Sequence, residues 1–339
     1  MTSPIPKVDV HHHIIPLSLL VISPLKSIWI YKFNKIEGIS YGLKGMKVPE
    51  WTVSGDKTFS ESINVHTSIF SVSTPGVSYI SDPEESAAVA RSMNEYCASL
   101  RDKNPHAYGF FATVPSLQHT DLVLREIRYA FDTLHADGVT LFTSYETKTG
   151  DGYLGHLDYL PVWEELNARQ AVVFVHPINN RNNNLFNDKL PMPAFDWPHE
   201  TGRTAIDLII HRRLQQFPNV KIILSHAGGT LISLIARSTM IALPEFGGVM
   251  SAEDIVDQGK KFYFDLALSG SKEVLPLVLG FAEKGHVLFG SDYPHATVGF
   301  SKKFTDFIDA YEMSDEMRKE VYHGAAEKLF PRLSGTYEI

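Results

Sequence analysis

The sequence predicts an α/β protein built as a (β/α)8 TIM barrel, with long loops at one rim and short C-terminal helices closing the chain. Three observations carry this expectation. Eight short apolar segments alternate almost throughout with stretches of helical periodicity, the pattern of parallel strands joined by crossover helices. Segments such as Ala171–Val175 and Val220–Leu224 are continuously apolar rather than alternating, as expected of strands buried on both faces. No Gly-x-Gly-x-x-Gly follows the first strand, which counts against an open nucleotide-binding sheet. With no solenoid-length repeat and no low-complexity linker, residues 1–339 are read as one domain.

The first strand is Val8–Pro16, Val-Asp-Val-His-His-His-Ile-Ile-Pro. Alternation along a strand sends His11 and His13 to one face and His12 to the other, so two imidazoles converge. Residues 17–66 read as an irregular excursion with scattered Gly and Pro, carrying Lys44 and Trp51. Thr67–Ser73 is the second strand and ends in Thr74-Pro75-Gly76; a helix from Asp82 to Asp102 follows, with Ala87, Val89, Met93, Tyr96, Cys97 and Leu100 at helical spacing. Next come strand Tyr108–Val114, helix Thr120–Leu134, strand Gly138–Thr143, helix Leu160–Arg169 and strand Ala171–Val175. A second long loop, 178–202, is rich in Asn and Pro and leads to helix Arg203–Gln216. Strand Val220–Leu224, helix Thr230–Ala242, strand Lys261–Leu266, helix Lys272–Glu283 and strand His286–Phe289 complete the barrel pattern.

Composition narrows the function classes. Hydrophobic residues at 44% and charged residues at 21% are ordinary for a globular enzyme. A net charge of −8 without a basic cluster argues against nucleic acid or an anionic membrane as partner. The single cysteine, Cys97, rules out an internal disulfide framework and fits a reducing compartment. Ile14–Leu25 is apolar enough to resemble a signal-peptide core, but Pro16 and Pro24 interrupt it and Asp9 precedes it. A cytoplasmic location is the expectation.

Barrel enzymes gather their chemistry at the C-terminal ends of the strands. Here the first strand ends in His11 and His13, the fifth in His176, the sixth in His226 and the eighth in Asp292. Singly, each could be a hydrogen-bonded surface group or a turn cap. Together they point to a metal centre. A set of three imidazoles and one carboxylate suits Zn2+ and tolerates Mn2+, Fe2+ or Co2+. The histidine left over could serve as acid or base.

These motifs also carry a resemblance. Asp9-Val-His11-x-His13-Ile-Ile-Pro16, Phe-Val-His176-Pro177, Ser-His226-Ala-Gly228-Gly229 and Gly290-Ser291-Asp292-Tyr293-Pro294 resemble the amidohydrolase superfamily. Within it, the chain is similar to the metal-dependent nonoxidative decarboxylases, among them the aminocarboxymuconate semialdehyde, γ-resorcylate and 5-carboxyvanillate enzymes. The stretches Ser-Thr74-Pro75-Gly76-Val, Gly109-Phe-Phe-Ala-Thr-Val-Pro115 and Val173-Phe-Val-His176-Pro177 look most like the 6-methylsalicylate decarboxylases of fungal polyketide pathways. The resemblance covers about residues 8–332. It implies that His11, His13, His176 and Asp292 hold one divalent ion, Zn2+ first and Mn2+ as the alternative, and that His226 is an unliganded catalytic histidine. It places Arg237 where relatives have an arginine that reaches a neighbouring subunit's site, which implies a homodimer or a dimer-based tetramer. The sequence departs from the pattern in two places. Lys44 and Lys47 stand near where relatives carry a substrate-binding arginine, and Gly324-Ala325-Ala326 replaces Gly-Asn-Ala.

The expected reaction is loss of CO2 from a 2-hydroxybenzoate such as 6-methylsalicylate, giving m-cresol. Direct heterolysis would leave an unstabilised aryl carbanion, so the ring carbon is protonated first. Asp292 is the expected acid, with His226 assisting. Trp51, Phe195 and Trp197, from the two long loops, and Thr74 are the expected substrate contacts; Arg203 is expected to pair with Glu200. The competing readings are a metal-dependent lactone or amide hydrolase on the same ligands and a silent barrel that only binds a small aromatic acid.

Overall fold

A computed structural model describes residues 5–15, 49, 51–78, 80–147, 150–178 and 189–337. Lys44 and Lys47 lie outside these residues, as does most of the first loop and the centre of the second. The barrel strands are β1 (Lys7–Ile14), β2 (Val65–Val72), β3 (Tyr108–Ala112), β4 (Gly138–Phe142), then β7 (Val172–His176), β8 (Lys221–Leu224), β9 (Tyr263–Asp265) and β10 (Val287–Leu288). They form one eight-stranded sheet in the order β1-β2-β3-β4-β7-β8-β9-β10, and all its pairs are parallel. The chain after β10 returns to β1: Val10 N–H donates to Phe289 O at 3.1 Å and His13 N–H to Tyr293 O at 2.7 Å. The ring is thereby closed, as the sequence predicts.

The strands sort their side chains into two cores. Val8, Val10, Ile69, Phe111, Val172, Phe174, Ile223 and Leu288 cluster with Leu329, Phe330, Leu333 and Tyr337, so the C-terminal segment plugs one end of the barrel interior. Their strand neighbours, among them Phe70, Phe110, Val173, Val175, Ile222 and Leu224, pack outward against the helices. Ala325, the departure from the family pattern, is fully buried in that interior plug.

Helix ends follow local chemistry. In the helix Pro83–Lys103, the Asp82 carboxylate accepts the Glu85 N–H, Pro83 stands in the first turn, and Arg101 and Lys103 lie in the last. This arrangement satisfies one free N–H of the first turn, spends Pro83 where an N–H would have no partner, and opposes the helix dipole at both ends.

Four elements differ from the sequence reading. The helix Val53–Ser62 lies inside the stretch read as irregular; the Thr52 side chain caps Gly55 N–H, and the helix buries Asp56, Phe59 and Ser60 on one face. Its Ser, Thr and Gly content hides it from propensity. The helix read as Arg203–Gln216 begins at Met192 and ends at Ile210. It accommodates Pro198 internally, and the Pro198 carbonyl accepts the Thr230 N–H at 3.1 Å. Gly229, at φ +57, permits this approach, since a Cβ there would lie 2.0 Å from that carbonyl oxygen. An antiparallel hairpin, β5 (Ser144–Thr147) with β6 (Gly150–Tyr153), occupies what had no assigned structure, and Ser251 caps a further helix, Ala252–Lys260. Among the described residues, no helix is long and apolar enough to cross a membrane.

Candidate metal centre and the residues around it

The interior face changes character toward the C-terminal ends of the strands. On β7 the inward column runs Val172, Phe174, His176; on β2 it runs Ile69, Ser71, Ser73. β1 reaches the same result by an irregularity. Its register with β2 shifts between Asp9 and His12, so Val8 and Val10 join the interior cluster while His11 and His13 also face inward. Bulges are a recognised means of re-aiming side chains beside active sites. Gly290 makes room, for a Cβ there would lie 2.8 Å from the His11 Cβ.

His11, His13, His176 and Asp292 are all buried, and one potential ligand atom from each lies within 4.8 Å of the others. His11 Nε2 is 3.2 Å from His13 Nε2, and Asp292 Oδ1 is 3.4 Å from the first and 3.2 Å from the second. The opposite ring nitrogens have their own partners: His11 Nδ1 meets Asp265 Oδ2 at 2.9 Å, His13 Nδ1 meets Ser71 Oγ at 3.0 Å, and His176 Nδ1 donates to Pro177 O at 2.8 Å. Such partners turn the Nε2 lone pairs inward. Two lone pairs at 3.2 Å repel unless a cation lies between them. Nitrogens bound to one ion at about 2.0–2.1 Å in tetrahedral geometry stand about 3.3 Å apart, so the donor set fits a divalent metal.

Without an ion, the electrostatics divide the set. Burial drives the His13 and His176 imidazoles below their ordinary value, the latter well below, and keeps both neutral as ligands must be. Burial would also lower His11, but Asp265 and Asp292 outweigh it and raise its pKa to about 10, so the two carboxylates favour positive charge at this ring, which a bound cation would supply in place of the proton. Burial pushes Asp292 up, yet hydrogen bonds to His11, His13 and His226 outweigh it and hold the carboxyl well below its usual range.

His226 follows β8 and stands outside the ligand set. Its Nε2 lies 3.6 Å from Asp292 Oδ2, the oxygen that does not face His11 and His13. Its Nδ1 is buried and finds no hydrogen-bond partner among the described residues. His226 and Asp292 both adopt left-handed backbone, φ +54 and +61, a conformation held by surrounding structure and concentrated at functional sites.

The expected substrate contacts are scattered. The Trp197 ring is 5.9 Å from that of His176. Thr74 follows Ser73 and buries a hydroxyl with no partner among the described residues. Trp51 packs edge-on against Phe70 at 5.8 Å, and Phe70 in turn packs on His12, which points away from the ligands. Phe195 is 48% exposed with its ring on His199. Arg237 is exposed on the helix Leu231–Ser238. Arg203 stands 3.8 Å from Glu200 and donates to the Tyr153 hydroxyl.

Sequence reasoning passed over several groups. Asp265, fully buried at the end of β9, accepts from the His226 and Ala267 N–H groups as well as meeting His11. Its signal was available, as a carboxylate closing an apolar strand at the same rim. His295, three residues after Asp292, packs edge-on against His13 at 5.2 Å and is hydrogen-bonded to Ser73 Oγ. Burial holds it neutral, with a pKa driven down to about 3. His12 lies between Asp9 Oδ2 at 2.9 Å and Asp56 Oδ2 at 2.7 Å.

Residues 8–332 match the amidohydrolase family. The chain belongs to the amidohydrolase family. Within it, the chain is 45% identical over 330 residues to a 6-methylsalicylic acid decarboxylase of Penicillium expansum, covering 97% of each protein. It is 44% identical to a 6-methylsalicylic acid decarboxylase of Aspergillus aculeatus, covering 96% of each. Among solved amidohydrolase folds, it superposes on the dihydroxybenzoic acid decarboxylase of Polaromonas sp. JS666, a structure with bound manganese and 2-nitroresorcinol. The TM-score is 0.79 at 20% identity, covering 98% of this chain and 99% of that one.

Proposed function

We propose that this amidohydrolase is a carbon–carbon lyase, a metal-dependent nonoxidative decarboxylase that converts a 2-hydroxybenzoate, 6-methylsalicylate first among them, to the phenol and CO2. The observation that carries the chemistry is the division of Asp292: Oδ1 faces the ligand nitrogens of His11 and His13, and Oδ2 faces His226. Holding a cation and handling a proton would conflict on a single oxygen. Two oxygens separate the roles in space, and a looser Oδ1 contact once substrate is bound would let Oδ2 take the proton.

His11, His13, His176 and Asp292 would hold a divalent ion, which when bound would supply positive charge to an anionic substrate. His226 passes a proton to the Oδ2 side of Asp292, which delivers it to the ring carbon bearing the carboxylate. That carbon gains a C–H bond, the C–C bond to the carboxylate breaks, and its electron pair restores the aromatic ring as CO2 departs. Trp197 and Thr74 border the ring. The ion is Zn2+ on the nitrogen-rich ligand set, with Mn2+, present in the Polaromonas structure, as the alternative. The enzyme works as a cytoplasmic homodimer or dimer of dimers. Arg237 is offered to the neighbouring subunit from the helix Leu231–Ser238, on which Leu234 is also exposed.

Purified protein given 6-methylsalicylate, with Zn2+ or Mn2+ restored after chelation, tests the reading. Stoichiometric m-cresol and CO2 support it. Turnover of a lactone or amide instead, with hydroxybenzoates untouched, contradicts it.

A further inference from the structure

Asp265 has no part in the chemistry above, yet it touches both halves of the site. It is fully buried and divides its oxygens: Oδ2 faces His11 Nδ1 at 2.9 Å, while Oδ1 accepts the His226 N–H at 3.1 Å and the Ala267 N–H at 2.9 Å. Both backbone donors are taken by Oδ1, so Oδ2 is left to accept from His11 Nδ1. A His11 that keeps its proton on Nδ1 turns Nε2 toward His13 Nε2, where a cation would take its lone pair. The same carboxylate fixes the backbone of His226 in its left-handed conformation, and hence the position from which that ring meets Asp292 Oδ2.

We propose that Asp265 is a positioning residue that couples metal capture to proton delivery, by setting the tautomer of His11 and the backbone of His226 with one carboxylate. An amide cannot replace it. With its NH2 toward His11, asparagine forces the proton onto Nε2 and removes a metal ligand; with its NH2 toward the backbone, it loses both N–H bonds. The catalytic half of this inference rests on the decarboxylase reading. The metal half does not.

The test uses the full chain, wild type and Asp265→Asn, each with and without His226→Ala. The metal-free proteins are titrated with Mn2+ against a competing chelator, and kcat for 6-methylsalicylate is measured at saturating Mn2+. Asp265→Asn is expected to weaken Mn2+ binding by about 10- to 100-fold, the usual cost of losing a ligand's outer partner. It is further expected to lower kcat at saturating Mn2+, but to add little when His226 is already alanine. Unchanged Mn2+ affinity overturns the proposal, and so does full recovery of kcat at saturating Mn2+, or an equal loss in the His226→Ala background. Should Asp265→Asn fail to fold, Asp265→Glu serves. Its longer carboxylate holds one partner and not both, so one of the two quantities falls, and neither falling overturns the coupling. Wild-type protein that binds Mn2+ without decarboxylating any 2-hydroxybenzoate sinks the proposed function, and the affinity comparison still decides the role of Asp265.

Discussion

At the scale of single residues, what the site does depends on which nitrogen or oxygen meets which. His226→Ala is expected to keep its metal and lose about 10²- to 10⁴-fold in turnover, the range for a removed acid–base group. Metal analysis beside kcat checks this, and loss of the ion would make His226 a ligand. Asp292→Asn is expected to lower kcat more than it raises KM, because the amide cannot donate from Oδ2 as an acid does. Equal turnover in that variant would remove Asp292 from the chemistry. The five polar residues named from sequence stood out because each ends or closely follows an apolar strand at the same rim. Asp265 and Ser71 carried the same signal in weaker form. Asp56 carried none, since its link to His12 spans 44 residues and begins in a Ser- and Thr-rich stretch.

At the scale of elements, β1 and the turn after β10 set the metal geometry against each other. Asp9 Oδ1 accepts the Ser291 N–H at 3.0 Å and the His11 N–H at 3.2 Å, while its Oδ2 meets His12. Gly290→Ala forces its Cβ against His11 and the backbone of Ala267; overpacking of this kind costs about 1–3 kcal/mol. Lower thermal stability and weaker Mn2+ binding are expected together, and an unchanged melt with normal metal affinity would contradict the packing account. Burial lowers the pKa of His12, but Asp56 and Asp9 outweigh it and raise it to about 9. A folded-state pKa above the unfolded value means that the stabilisation is fully present below about pH 6.5. It is lost as pH rises through about 9. Denaturant midpoints between these values should fall more steeply in the wild type than in Asp56→Asn, and parallel slopes would count against the pairing. The strand alternation of His11 and His13 was readable from the sequence. The register shift that turns both inward with Val8 and Val10 was not, because it depends on pairing with β2.

At the scale of the molecule, the four candidate ligands come from β1, β7 and the turn after β10, which closure of the ring brings together. An ion bound only by the folded barrel stabilises it by about 4 kcal/mol at a thousandfold excess over Kd. Chelation is therefore expected to lower Tm by several degrees and to abolish turnover, with both restored by Zn2+ or Mn2+. Removal of the ion without loss of activity would contradict the metal's role. The barrel was legible from strand count and apolar runs, because parallel strands buried on two faces leave little else in sequence. The helices at Val53–Ser62 and Met192–Ile210 were not, for tertiary packing holds them against weak or contrary local preference.

Protonation of the ring carbon that gives up CO2 is read out by decarboxylation of 6-methylsalicylate in D2O with one divalent ion per chain. CO2 and m-cresol are expected in equal amounts, with a single deuterium at the carbon between hydroxyl and methyl. No CO2 from any 2-hydroxybenzoate with the ion restored, or a product without deuterium at that carbon, would contradict it.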